Sequence, residues 1–129
     1  MERSEAAAGW PPGDFEAAKV RYTFTYLSLK DFSGKYLVLY FYPRDMTSGC
    51  TLESQDFRDH YKSFQKLNCE ILGVSRDTIK SHDKFCEKES LPFKLISDSD
   101  EKLCEAYDVM KENNERLLLM LEFVLPFLV

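Results

Sequence analysis

An α/β sandwich with a mostly parallel central sheet is predicted for this chain by three observations. An uninterrupted apolar run, Tyr36 to Tyr42 (YLVLYFY), is bounded by Lys35 and Pro43. Such a short run, rich in aromatic and β-branched residues, suits a strand covered on both faces. The period then changes: Phe57, Tyr61, Phe64 and Leu67 recur at helical spacing with charges between them, as on a helix that buries one face. A second apolar stretch, Glu70 to Val74, follows. Strand, helix and strand in this order form a right-handed unit with parallel strands.

The remaining elements follow in chain order. Residues 1–13 are polar and Ala-rich and end in Trp10, Pro11, Pro12 and Gly13, which reads as a flexible arm. Val20 to Leu29 alternates and is β-branched and aromatic, predicting one strand. Asp31 to Lys35 is a turn. Pro43 ends the central strand because it has no N–H for the ladder. A loop with Asp45, Thr47, Ser48 and Gly49 leads to a helix over 51–67. A second helix is expected over 78–89, with Asp77 as its N-cap and Leu91-Pro92 at its end. Phe93 to Ser97 is a third short strand, and Asp98 with Glu101 has the spacing of a capping box for a helix reaching Tyr107. The expected division is an arm over 1–13, a domain over 14–116 and an atypical apolar tail over 117–129.

A chain of 129 residues with 44% apolar and 14% aromatic content fits one domain with a true core. The net charge of −5 argues against nucleic acid and anionic membrane as partners. The four cysteines, Cys50, Cys69, Cys86 and Cys104, form no CxxC pair, so dithiol and zinc-ribbon spacings are both missing. They are also too few and too scattered for a disulfide scaffold. A reducing, cytoplasmic setting is expected, and Glu2 and Glu5 argue against a transit peptide.

Cys50 falls where the loop gives way to the helix. Helix N-termini present unpaired N–H groups and partial positive charge, a setting that favours thiolate over thiol. The thiolate is the attacking form. Thr47, three residues earlier, can aim a hydroxyl at the sulfur or at a substrate oxygen, and Pro43 stiffens the loop. A small buried cysteine at a helix start is the plain structural alternative.

The spacing Pro43-x-x-x-Thr47-x-x-Cys50, with the flanks LVLYFYP, GCTLESQDFRD and ILGVSRD, resembles the peroxiredoxin active-site pattern, and in particular the bacterioferritin comigratory protein (PrxQ) branch. The resemblance covers about Ser28 to Lys111. It implies a thioredoxin-like three-layer sandwich and reduction of hydrogen peroxide and organic hydroperoxides through a Cys50 sulfenic acid, without metal or organic cofactor. It also implies recycling by thioredoxin or a glutathione system, and a monomer. Glu53 matches the family acid that follows the nucleophile by three and would orient an Arg. Arg116, which follows a Glu and precedes an apolar run, is the candidate for that Arg; Arg44 and Arg58 match no family ligand position. One branch carries a resolving cysteine five residues after the nucleophile, where Gln55 stands here. Others carry it on the next helix, where Cys86 stands; Cys86 shares a helical face with Ile79, so core filling also explains it. Cys69 and Cys104 read as buried structural thiols, and His60 and His82 as surface or boundary residues.

The C-terminal segment departs from the family: its hairpin and last helix are expected to be missing. LLLMLEFVLPFLV, with Glu122 as its one charge, is too short to cross a bilayer. Two places are open to it: beside the unpaired edge of the 36–42 strand, with Leu117 to Leu125 as the pairing segment, or outside the fold as a tail prone to aggregate. A catalytically impaired chain that acts at most as a thiol interaction module is the corresponding alternative function.

Overall fold

The computed structural model describes residues 18–20, 26–27, 29–111 and 117–125. A six-stranded sheet runs in the order β2-β1-β5-β4-β3-β8. Its strands are β1 (Ala18–Val20), β2 (Tyr26–Leu27), β3 (Tyr36–Phe41), β4 (Cys69–Ser75), β5 (Lys94–Ser97) and β8 (Leu121–Leu125). The centre is parallel, β3 beside β4 and β4 beside β5. Antiparallel strands flank it, with β1 on β5, β2 on β1, and β8 on β3. β3 lies between β4 and the edge strand β8, and Leu37 to Tyr42 are all buried.

Alternation along β3 divides the core into two. On one face Val38, Tyr40 and Tyr42 pack with Ile71, Phe85, Cys86, Phe93 and Leu95. The helices α1 (Ser48–Asp59), α2 (Tyr61–Lys66) and α3 (Ile79–Glu89) lie on that side. On the other face Leu37, Leu39 and Phe41 pack with Leu103, Cys104 and Tyr107, which come from α4 (Lys102–Ala106) and its C-cap. The result is helix, sheet, helix: the three-layer sandwich.

Several sequence expectations need correction. Val20 to Leu29 is not one strand: β1 and β2 pair antiparallel, Ala18 opposite Leu27, and a 3₁₀ turn begins at Leu29. The expected helix over 51–67 begins at Ser48 and divides at His60, whose ring Nδ1 lies 2.9 Å from the Asp56 carbonyl. Phe57, Tyr61 and Phe64 still pack on one core face across the break, whereas Leu67 caps α2 and is exposed. The N-cap of α3 is Thr78 rather than Asp77; its Oγ1 accepts from the Ser81 N–H at 3.1 Å. Asp98 does cap α4, accepting from the Leu103 and Cys104 N–H groups. Glu101, however, sits left-handed at φ 64° and turns to Arg76 at 3.0 Å, so the capping box is not formed.

At the C-terminal end, β6 (Met110–Lys111) and β7 (Leu117–Leu118) pair antiparallel, a short pair where a missing hairpin is expected. β8 then lies along β3 with Leu39 opposite Phe123 and Tyr40 opposite Glu122. The edge of β3 is thus paired by residues 121–125, a shorter segment than the candidate 117–125. Residues 1–13 and Arg116 lie outside the described residues.

Candidate active site

The loop after β3 carries the residues of the motif. Pro43 is half-buried and Arg44 exposed. Met46 turns the chain at φ 63°. Thr47, in extended backbone, is the N-cap of α1. Its side chain does not cap the helix; Oγ1 donates to the Arg44 carbonyl at 3.0 Å. The hydroxyl proton is thereby committed, and the oxygen's lone pairs are left as acceptors. Cys50 is the third residue of α1, inside the first turn rather than before it, and only 3% exposed. First-turn N–H groups have no partner within the helix and can face an anion or a developing negative charge.

Cys50 and Cys86 lie in the same buried cluster, one on α1 and one on α3, and all four cysteines are thiols. The other two are placed where ionisation is disfavoured. Burial, with Glu70 beside it, pushes the Cys69 thiol up. Burial and the Asp98 carboxyl push Cys104 up much further. Both effects disfavour the reactive thiolate.

A hydrogen-bond network below the loop holds it in place. Asp45 is buried; it accepts from the Tyr42 hydroxyl at 2.7 Å and the Ser81 hydroxyl at 2.8 Å. Its Oδ2 lies 2.7 Å from Nδ1 of the fully buried His82. The other ring nitrogen of His82 faces the Ile96 carbonyl at 3.1 Å. A carbonyl only accepts, so Nε2 is placed to donate to Ile96 while Nδ1 faces the Asp45 carboxyl. Asp77 accepts from the Asp45 N–H at 2.8 Å and from the Ser75 hydroxyl at 2.6 Å. Donor atoms of Asp45, Asp77 and His82 lie within 4.8 Å of one another, and these protein hydrogen bonds account for the cluster without a metal. His82 is therefore not a surface or boundary residue. Its position four residues before Cys86, next to Phe85, was the available signal, because that face of α3 is the buried one.

Glu53 occupies the next turn of α1. Its Oε1 is buried without a hydrogen-bond partner. Burial, then a shared hydrogen bond and like charge with Glu122 of β8, then the charge of Asp56, push its carboxyl up to about 9. The acid expected to orient a guanidinium thus stands beside another acid. Of the described arginines, Arg58 is engaged with Asp59 and the Glu89 carbonyl and Arg76 with Glu101, and Arg44 is exposed on the loop before α1. Gln55 donates to Glu89 at 2.8 Å.

Comparison with known proteins shows the family. The AhpC/TSA family model matches residues 11–124. The chain belongs to the AhpC/TSA family. Within it the similarity is to the Bcp/PrxQ peroxiredoxins. Peroxiredoxin Bcp of Xanthomonas campestris is 52% identical over 90 residues, 70% of this chain and 56% of that protein. The chain spans about half the length of the curated relatives it matches. The solved Xanthomonas campestris bacterioferritin comigratory protein, described for its alkyl peroxide reduction activity, superposes with a TM-score of 0.82 at 41% identity, covering 88% of this chain and 73% of that one. Two serine variants of Xanthomonas campestris peroxiredoxin Q superpose with TM-scores of 0.77 and 0.72, at 43% and 46% identity; each covers about two thirds or more of that protein and most of this chain. Their substituted cysteines have the same separation in sequence as Cys50 and Cys86. No helix among the described residues is long and apolar enough to cross a membrane.

Proposed function

We propose that the chain is a thiol-dependent peroxidase with Cys50 as its nucleophile. The observation that carries this reading is the place of Cys50, buried in the first turn of α1 behind the Pro43–Thr47 loop, in a chain of the AhpC/TSA family. The Cys50 thiolate attacks one peroxide oxygen, the O–O bond breaks, and the departing oxygen leaves as alkoxide or hydroxide and takes up a proton. Cys50 becomes a sulfenic acid. Thr47, with its proton held by Arg44, accepts from the peroxide hydroxyl and aligns it, and the first-turn N–H groups face the developing charge. Pro43 shields the thiol and stiffens the loop.

Cys86 resolves the sulfenic acid, and the resulting disulfide is reduced by thioredoxin or a glutathione-system thiol. Hydrogen peroxide and organic hydroperoxides are the substrate class. The cysteine sulfurs carry the chemistry without a metal or organic cofactor. Arg116 is the candidate cation, with Glu53 to orient it. The chain acts as a cytoplasmic monomer that binds neither nucleic acid nor membrane. It is organised as an arm, a domain over 14–116 and an apolar tail over 117–129 whose residues 121–125 add the edge strand to that domain's sheet.

A second reading, a catalytically impaired chain serving as a thiol interaction module, is favoured by the pairing of Glu53 with Glu122. Peroxide consumption coupled to thioredoxin recycling separates the two. The peroxidase reading expects turnover that Cys50→Ser abolishes and Thr47→Val slows about tenfold to a hundredfold through lost alignment. No turnover supports the second reading instead, and turnover unchanged in Cys50→Ser overturns Cys50 as the nucleophile.

A further inference from the structure

Resolution by Cys86, as proposed above, requires two thiols on two helices to come within bonding distance, an S–S length of about 2.05 Å. Cys86 attacks the sulfenic sulfur of Cys50, the S–S bond forms, and the sulfenic oxygen leaves as water with the Cys86 proton. Both thiols are buried, 3% and 2% exposed, so the segment carrying one of them must open. The two ends of α3 differ in how they are held. Its first turn is fixed in the interior, because Ser81 and His82 both bind the buried Asp45.

Its last turn is fixed from outside. The Cys86 carbonyl accepts from the Ser90 and Leu91 N–H groups, and Ser90 adopts a left-handed conformation at φ 54° to allow it. Two side chains of α1 reach across to that turn: Gln55 Nε2 donates to Glu89 Oε1 at 2.8 Å, and Arg58 Nη1 donates to the Glu89 carbonyl at 2.8 Å. The Arg58 guanidinium also lies 3.9 Å from Glu89 Oε1. Arg58 is 31% and Glu89 12% exposed, so water competes for these bonds as it cannot for the Asp45 pair.

We propose that Glu89, gripped by Gln55 and Arg58, is a positioning residue for the resolving step. The clasp keeps the last turn of α3 closed while Cys50 is reduced, and its release lets residues 86–90 unwind and deliver Cys86 to the sulfenic acid. The strength of the clasp therefore sets the partition of oxidised Cys50 between disulfide and further oxidation to sulfinic acid.

This inference rests on Cys86 as the resolving thiol, and one experiment tells the two failures apart. The reduced protein is mixed with one equivalent of hydrogen peroxide, and the Cys50–Cys86 disulfide is followed by rapid quench and peptide mapping; sulfinic acid at Cys50 is measured after excess peroxide. Glu89→Ala and Gln55→Ala should speed disulfide formation about fivefold to tenfold and lower the sulfinic fraction. Glu89→Gln keeps an acceptor for Gln55 and should fall near wild type. Amide exchange at residues 86–91 should quicken in Glu89→Ala while exchange in β3 stays slow; if both quicken, Gln55→Ala gives the answer, since it leaves α3 itself unchanged. Disulfide rates and sulfinic fractions equal to wild type in both alanine variants overturn the clasp alone. Absence of a Cys50–Cys86 disulfide in the wild-type protein overturns the clasp and the resolving role together.

Discussion

Helix α1 is supported very differently on its two flanks. Toward α3, the loop that leads into it rests on Asp45, whose two oxygens receive Tyr42, Ser81 and His82, and whose N–H is received by Asp77. Toward β8, Glu53 meets Glu122, and one of its buried oxygens has no partner. Yet β8 is well seated on its opposite face. Leu121, Phe123 and Leu125 point into the lower core, and the Phe123 ring stands edge-on to Phe41 at 5.7 Å and to Tyr107 at 5.2 Å. A strand can thus satisfy a sheet edge through its backbone and one apolar face while its other face is chemically mismatched to the helix above. Pairing needs only period-two alternation and free N–H and C=O groups; a polar site needs particular residues at particular registers.

The largest effect expected from this contrast lies on the α3 flank. His82→Ala removes one partner of a fully buried pair, leaves Asp45 and the Ile96 carbonyl short of a donor, and should cost about 3–5 kcal/mol in urea unfolding. A loss below about 1 kcal/mol would mean that the pair behaves like a surface ion pair. On the tail flank, Phe123→Ala should cost about 3 kcal/mol through lost burial and a residual cavity. A variant with unchanged midpoint would show that β8 adds no packing. An intermediate test concerns the sheet between the flanks. The Tyr40 ring passes over Gly73, where a Cβ would meet its Cζ and Oη at 2.8 Å and Leu95 Cδ2 at 2.6 Å. Gly73→Ala should therefore destabilise the fold by about 1–3 kcal/mol and weaken the 2.9 Å contact between Tyr40 and Ser54 of α1.

The remaining effect has the opposite sign. Glu53 is raised from 4.5 to about 9 in the folded chain. The folded state then holds a proton that the unfolded state releases, so the stability this group allows is full below about 4.5, declines as pH rises and is gone above about 9. Glu53→Gln keeps the shape and removes the titration. It should stabilise the protein at pH 8 and flatten the fall in melting temperature between pH 5 and 9, as should Glu122→Gln to a lesser degree. A steeper pH dependence in Glu53→Gln would contradict the pairing of the two acids.

The parallel core and its order were legible because β3, β4 and the α1–α2 stripe carry strong periodic signals. The position of Cys50 followed from the same signals; the edge they leave open made Leu117 to Leu125 a candidate to pair with β3 without deciding whether it docks, and the structure pairs residues 121–125 there. Other features had no local mark. Residues 21–25 (RYTFT) contain no Gly, Pro, Asn or Asp, so nothing in the sequence separates β1 from β2. The break at His60 leaves the apolar stripe in phase. Asp45 looks like an ordinary turn residue, and the spacing of His82 from Phe85 and Cys86 marks its burial but not its partner, because that partnership spans 37 positions and depends on the crossover that brings α3 beside the loop. Glu53 has the composition of a solvated helix turn, and only the register of β8 shows which residue it faces.

The most direct measurement is the site of first oxidation. The reduced protein is treated with one equivalent of hydrogen peroxide in the presence of dimedone, and the adducts are mapped by mass spectrometry. If the first turn of α1 and the Thr47 loop make the reactive centre, the adduct forms on Cys50, with Cys69 and Cys104 unmodified. An adduct found first on Cys69 or Cys104, with Cys50 still a thiol, would contradict it.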